Sequence, residues 1–372
     1  MKGQSRVLPA VACIGVLAGA IAAANAAPDK APVNPLRVGL FPAGDGAVEV
    51  IVTNTSQRAA RVPGWELPQE ILQSNLFQVS RDGEPVRYEG ALIKRGLPEA
   101  TDFVVLPPGR SFRSVVDLAA TYDMSRAGDY TVAFASPLQY ASLSDGRRLN
   151  DHRGNPMLLK SPALRIWNDG GVAPFAYKRD PNAAKGKPCN PRKEDCGGGG
   201  GGAISFVGCS SGEINTASSA VNAARQYAED SKGYLDLGTV GARYTTWFGA
   251  YSSSRYGTVE SNFVAIDAAM DQNNGQITIN CGCNQNYYAY VYPNQPYEIF
   301  VCRAFWSAPL TGTDSKAGTL IHEMSHFNVV AGTDDIVYGQ SGAKNLAISN
   351  PSGAIRNADN HEYFAENTPF QN

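Results

Sequence analysis

The sequence predicts two units of different class: an all-β, sandwich-like unit followed by an α+β unit. Three observations carry that division. Residues 36–167 hold short β-branched and aromatic runs separated by turn signals. Residues 169–202 change composition abruptly, with Pro174, Pro181, Pro188 and Pro191 ahead of six consecutive glycines, Gly197 to Gly202. After Ala203 the apolar residues recur at helical spacing, then in strand-like runs, then at helical spacing again. With 372 residues, 43% of them hydrophobic and 18% charged, the chain can bury two cores and has no disorder-like excess of charge.

The first stretch reads as a targeting segment. Lys2 and Arg6 precede an apolar run from Val7 to Ala24, and Ala24-Asn25-Ala26 offers small residues where a leader would be cut. Residues 1–26 are therefore expected to direct export and be removed, leaving a secreted, extracellular protein. No other stretch approaches the ~20 apolar residues of a membrane span. Cys13 would leave with the leader, and the remaining cysteines are Cys189, Cys196, Cys209, Cys281, Cys283 and Cys302. An even number in an exported chain points to disulfides, with connectivity open on spacing alone. Cys281-Gly282-Cys283 is too short for a usual zinc knuckle, so each is expected to have a distant partner.

The β unit, residues 27–168, is read from its runs. Val48–Val52 and Phe103–Leu106 are strand-like, and Asp82-Gly83 between Phe77–Val79 and Val86–Tyr88 signals a hairpin. Pro107-Pro108-Gly109 and Gly128-Asp129 punctuate further strands, Ser111–Leu118 and Tyr130–Ala135. His152 lies in a turn-like Asn150–Gly154 stretch and is expected to be solvated. Residues 169–202 form a linker open to proteolysis, carrying Lys178, Lys185, Lys187 and Lys193, four of eleven lysines in the chain. Residues 203–372 are then α+β. Ala217, Ala220, Val221, Ala224 and Ala228 make a helical stripe ending near Gly233, and Val259–Met270 makes another. Strands follow at Gln276–Asn280, Tyr287–Tyr292 and Glu298–Cys302, then helices at Gly318–Phe327 and Asn357–Glu366.

Charge divides the same way. Residues 1–202 carry 24 Lys+Arg against 19 Asp+Glu, and residues 203–372 carry 8 against 15. An acidic back half disfavours nucleic acid as partner and tolerates cationic substrates.

The chemistry concentrates at His322-Glu323-Met324-Ser325-His326. Four residues apart on a helix, both imidazoles share one face one turn apart and can grip one zinc ion, with Glu323 placed to take a proton from activated water. A catalytic zinc needs a third protein ligand. No histidine follows at short range, which leaves Asp334 and Asp335, just after a Gly332-Thr333 that can turn the chain back. Two helices, a small sheet and a metal-binding helix suit a small zinc-dependent hydrolase.

His322–His326 followed by Gly332-Thr333-Asp334-Asp335-Ile336-Val337-Tyr338-Gly339 resembles the joint signature of the aspzincins, the deuterolysin family of metalloendopeptidases, HExxH plus GTxDxxYG. The resemblance, covering roughly Cys209 to Glu366, implies a zincin-type catalytic domain. It implies one zinc held by His322, His326 and Asp335, Glu323 as general base, and Tyr338 as hydrogen-bond donor to the oxyanion. The closing Asn357–Asn367 segment resembles the branch that cleaves on the amino side of lysine, which implies that Asp359 and Glu362 form an acidic pocket. At i and i+3 they share a helix face; His361 would face away and is expected to be a bystander. The same resemblance implies disulfides Cys209–Cys281 and Cys283–Cys302 and makes the β unit a propeptide. An enzyme cutting before lysine would find few sites in residues 203–372, which hold only Lys232, Lys316 and Lys344, and four in the linker. Lys178, Lys185, Lys187 and Lys193 are thus self-processing candidates. The partners implied are protein or peptide substrates with lysine after the cut, and the chain's own propeptide. The alternatives are a protease of broad deuterolysin-like specificity with Asp359 and Glu362 merely solvated, or a secreted binding protein with a structural zinc.

Overall fold

The computed structural model describes residues 33–44, 46–171, 190–193, 203–272 and 274–372. The leader, Lys178, Lys185, Lys187, Cys189, Cys196 and the glycine run lie outside the described residues.

The front half contributes β1 (Leu36–Gly44), β2 (Ala47–Asn54), β3 (Ala60–Pro63), β4 (Phe77–Arg81), β5 (Glu84–Val86), β6 (Leu92–Lys94), β7 (Phe103–Leu106), β8 (Ser111–Asp117), β9 (Gly128–Pro137), β10 (Ser142–Leu143), β11 (Leu158–Lys160) and β12 (Leu164–Asn168). Alternation makes them: Val48, Val50 and Val52 on β2 are fully buried while their neighbours are not. The Asp82-Gly83 hairpin joins β4 to β5, with both residues at positive φ as a tight hairpin turn requires. Strands early and late in this half are interleaved. β2 pairs β8, β3 pairs β7 and β10, and β4 pairs β9, all antiparallel.

The back half runs β13 (Ala203–Val207), α1 (Ser211–Asp236), α2 (Ala242–Phe248), α3 (Ser253–Met270), β14 (Asn274–Asn280), β15 (Ala289–Val291), β16 (Glu298–Val301), α4 (Arg303–Ser307), α5 (Lys316–His326), α6 (Gly339–Ser349), α7 (Pro351–Ala354) and α8 (Ala358–Glu366). A reciprocal capping box between Ser210 and Glu213 starts α1. This helix passes the expected stop at Gly233, because Ser231 and Leu235 continue its buried face. Its alanine stripe packs with α3 and α5 into one core with Trp247, Phe248, Phe263 and Phe364. The short α2, α4 and α7, and the eleven-residue α6, were not anticipated; α2 and α4 have too few residues for a periodic pattern to emerge.

One sheet joins the halves. Its order is β13-β14-β16-β15-β6, with β13, β14 and β16 parallel to one another and β15 antiparallel to both of its neighbours, β16 and β6. The edge strand β6 belongs to the front half, paired Lys94 to Ala289, Ile93 to Tyr290 and Leu92 to Val291. A smaller apolar contact of Trp65, Tyr140 and Tyr338 bridges the same boundary.

Candidate metal and substrate site

The site is built on α5, which is buried along its whole length. Ser315 caps it by accepting from Gly318 N at 2.9 Å, and Glu366 at the end of α8 fixes Ser315 through both its backbone N and its hydroxyl, each at 2.8 Å. One turn apart, the rings of His322 and His326 stand 4.8 Å between centroids. Gly332, at φ 60°, reverses the chain after the helix. Thr333 then returns to it: its N donates to Ser325 O, its hydroxyl meets Ser325 Oγ at 2.6 Å, and its carbonyl lies 2.9 Å from His326 Nδ1. A proton held on Nδ1 by that carbonyl leaves Nε2 as a metal donor.

Asp335 completes the set. Its Oδ1 lies 3.1 Å from His322 Nε2 and 3.4 Å from His326 Nε2. Ligands about 2.0–2.1 Å from a tetrahedral zinc stand roughly 3.4 Å apart, so these separations fit one ion. His322 Nε2, His326 Nε2 and Asp335 Oδ1 are all buried without a hydrogen-bond partner among the described residues, a costly state that a cation relieves. Asp334 points elsewhere: its Oδ1 accepts from Asn75 Nδ2 at 3.1 Å. Asn357 holds the loop in place, accepting from Ile336 N and Val337 N and donating to Val337 O. Burial would raise the Asp335 carboxyl, but His326 and His322 outweigh it and hold it far below the usual range. Glu323, also fully buried, is pushed up to about 7, chiefly by desolvation and against the pull of His322 and His326.

Behind this set lies an acidic pocket. Asp359 and Glu362 are both buried on α8, and Asp314, at φ 52° in the turn before α5, faces them. His322 Nδ1 sits 2.9 Å from Asp359 Oδ1 and 3.3 Å from Glu362 Oε2, so the metal set and the pocket share one side chain. Asp359 Oδ2 also accepts from Gly339 N. The pocket holds Lys94 of β6, 1% exposed, with Nζ 2.6 Å from Glu362 Oε2, 3.7 Å from Asp314 Oδ1 and 3.9 Å from Asp359 Oδ1. The Tyr288 ring lies 5.1 Å and the Tyr363 ring 5.9 Å from the ammonium. Burial alone would lower the Lys94 pKa, but Glu362, Asp359 and Asp314 together hold it well above its ordinary value. The Tyr338 hydroxyl donates to Ile93 O at 3.0 Å, and Ile93 N donates to Asp335 Oδ2 at 2.9 Å.

Sequence-predicted residues His322, Glu323, His326, Asp335, Tyr338, Asp359 and Glu362 are thus brought together. The disulfides Cys209–Cys281 and Cys283–Cys302 are both formed. Lys193 is exposed in a turn. His361 faces the core, between Phe248 and Phe263 and beside Asn262, and His152 is exposed. Lys94, Asp314, Tyr288 and Asn357 escaped the sequence reading. None belongs to a spaced motif, and only the fold places them here.

Two imidazoles, a carboxylate and a free buried glutamate on one helix and its returning loop define a metal-dependent hydrolase. A family profile described as "Lysine-specific metallo-endopeptidase" matches residues 236–366. The chain is 42% identical to an "Extracellular protease" of Aeromonas hydrophila, over 88% of this chain and 90% of that protein. It is 51% identical to a "Peptidyl-Lys metalloendopeptidase" of Armillaria mellea, over 87% and 88% of the two. Among solved structures, a zinc peptidase from Grifola frondosa matches 44% of this chain and all of its own, at 46% identity and a TM-score of 0.42. The chain belongs to the aspzincin family and is a zinc metalloendopeptidase.

Proposed function

We propose that this chain is a secreted endopeptidase that hydrolyses peptide bonds on the amino side of lysine and is made as a precursor. Residues 1–26 are its leader, residues 27–168 its propeptide, residues 169–202 the linker, and residues 203–372 the enzyme. The observation that carries the specificity is the gathering of Asp314, Asp359 and Glu362 around one ammonium beside the His-His-Asp set. Two fully buried carboxylates, Asp359 and Glu362, with the half-exposed Asp314 beside them, are tolerable in so small a space only when a cation neutralises them.

His322 Nε2, His326 Nε2 and Asp335 Oδ1 would hold one zinc ion. When bound, zinc polarises the scissile carbonyl and makes water a nucleophile near neutral pH. Glu323 takes that water's proton and delivers it to the leaving amine, a task matched to a carboxyl tuned toward neutrality. The Tyr338 hydroxyl, kept protonated by burial, donates to the carbonyl oxygen as negative charge develops. Asp359, Glu362 and Asp314 receive the lysine ammonium, which sets the register of cleavage. Export is supported by the leader pattern and by the relative named an extracellular protease, and no helix among the described residues is long and apolar enough to cross a membrane. Lys178, Lys185, Lys187 and Lys193 are the proposed self-processing sites.

The test is a cleavage map. A denatured protein digested with the mature enzyme should yield new N-termini that begin with lysine, and a chelator should abolish them until zinc is restored. A scatter of N-terminal residues would end the lysine reading. Glu323→Ala should lower the rate by roughly 10²–10⁴-fold, the usual worth of a positioned base, and should leave the linker uncut; maturation at the same place in that variant would assign processing to another protease.

A further inference from the structure

Linker residue Arg192 makes a polar contact with the back half that lies outside both the metal set and the lysine pocket. Its Nε donates to Val330 O, and its Nη2 donates to Asn262 Oδ1 at 2.7 Å. Asn262, on α3, is 3% exposed, and its amide is not free to turn. Behind it, Nδ2 meets His361 Nε2 at 3.1 Å, while His361 Nδ1 meets Asn357 O at 3.0 Å. A carbonyl oxygen only accepts, so Nδ1 carries the proton. Burial keeps the ring neutral, pushing its pKa down to about 4, so Nε2 is left to accept. Asn262 therefore donates Nδ2 inward and presents Oδ1 outward as an acceptor. Val330 O is fixed as well, because Val330 N and Gly332 N both donate to Phe327 O in the turn after α5. Two fixed acceptors suit the planar fork of donors on a guanidinium. A second arginine, Arg87 of the front half, reaches the same turn: its Nη1 donates to Asn328 Oδ1 at 3.4 Å. Asn262 and Arg192 line a cavity of about 950 Å³ together with His326 and Thr333. The lysine pocket instead meets the metal set through His322 Nδ1.

We propose that Asn262 Oδ1 and Val330 O form a second substrate subsite, one that takes an arginine on the amino side of the cut. Arg192 fills it in the precursor, and an arginine of the substrate fills it in the processed enzyme. Its placement rests on the lysine specificity proposed above. Lysine after the cut is held on the His322 side, so the residues before the cut run past His326 into the cavity. His361 is the positioning residue, since it fixes which amide atom Asn262 presents. Lysine is a poorer occupant here, because its ammonium is a point charge without the fork. The acidic balance of residues 203–372, 8 Lys+Arg against 15 Asp+Glu, favours a cation in either place.

The experiment uses the processed wild-type enzyme, zinc-loaded, and quenched fluorogenic peptides that carry one lysine among alanines and serines. A single arginine is walked through the positions before that lysine, with norleucine at the same position as control. Arginine at one of these positions should raise kcat/KM roughly tenfold over norleucine, the scale of a charge-assisted hydrogen bond in a partly exposed site. The gain should appear in KM, because the contact is remote from the reacting bond. In Asn262→Leu the ratio of arginine to norleucine should fall to about one, since the outward acceptor is gone. Asn262→Ser, a smaller change, serves as a second variant, and thermal melting of both verifies folding. His361→Leu should lose the ratio through KM, whereas His361→Gln, whose Oε1 can stand in for the Nε2 acceptor, should recover part of it. Equal rates for arginine and norleucine at every position, or an arginine gain that survives in folded Asn262 variants, would overturn the inference. The norleucine peptides separate the two readings. If they are cut elsewhere than before lysine, the lysine specificity is wrong and the subsite loses its place with it; if they are cut before lysine and arginine adds nothing, only the subsite is wrong.

Discussion

Glu66 lies between Trp65 and the apolar boundary of the two halves, buried, with Oε1 accepting from Tyr140 N at 2.9 Å and Oε2 unpartnered among the described residues. Desolvation raises its pKa from 4.5 to about 8, against the Tyr140 amide and the Arg148 charge, which both lower it. A folded-state pKa above the unfolded value means that the stabilising difference is fully present below about pH 4.5 and is lost as pH rises toward 8. At about 1.4 kcal/mol per pKa unit, the loss across that window is several kcal/mol. Glu66→Gln should remove this slope. Melting of the otherwise inactive Glu323→Ala chain with and without it should show the variant gaining on its parent between pH 5 and pH 8; a gain independent of pH would mean that Glu66 is already neutral or already paired. At this same scale, the residues that sequence made legible are those whose chemistry demands fixed spacing. His322, Glu323 and His326 announce themselves because a helix turn separates them. Lys94 and Asp314 carry equal charge density at the site, but their positions depend on which strand becomes the sheet edge and which turn precedes α5. No local pattern encodes either.

The motif helix was legible as an element because its apolar Leu320, Ile321 and Met324 share it with the histidines. What holds it was not legible. Gly318 in the first turn of α5 admits Glu366 of α8 so closely that an added Cβ would lie 2.1 Å from Oε1 and 2.7 Å from Cδ. That carboxylate cannot swing away cheaply, since it binds Ser315 N, Ser315 Oγ and Asp314 N at once. In an open helix Gly→Ala stabilises by about 1 kcal/mol; here Gly318→Ala should instead destabilise, by roughly 1–3 kcal/mol as a buried hydrogen-bonded group is displaced. Because the same contact orders Asp314, the variant should also lose affinity for lysine-containing peptides. A higher melting temperature would mean that Glu366 moves aside freely. The front-half strands tell a related story. Their runs and turn signals were visible on β2 and β9, whereas β6, three residues long and wholly buried, offers too short a run to read.

Across the whole molecule, the sequence division into a β half and an α+β half describes composition better than contact. The halves share a sheet through β6, and further polar links cross the boundary: Asn75 to Asp334, Glu89 to Asn294, Glu99 to Asn286, and both amide atoms of Gln139 to the Tyr338 backbone. The opposite charge bias of the halves, 24 Lys+Arg against 19 Asp+Glu in residues 1–202 and 8 against 15 in residues 203–372, adds a general attraction. Much of that attraction is screened at about 0.15 M salt, where the Debye length is about 8 Å. The buried contact of Lys94 with Glu362 is screened far less, and strand pairing hardly at all. Cutting the linker therefore should not separate the halves. After limited proteolysis of the Glu323→Ala chain within residues 169–202, both pieces should co-elute on size exclusion at that salt concentration, and the same digest of a Glu323→Ala, Lys94→Met chain should elute partly as separate halves. Full separation in the chain that retains Lys94 would mean that the shared strand contributes little and that the linker alone keeps the halves together.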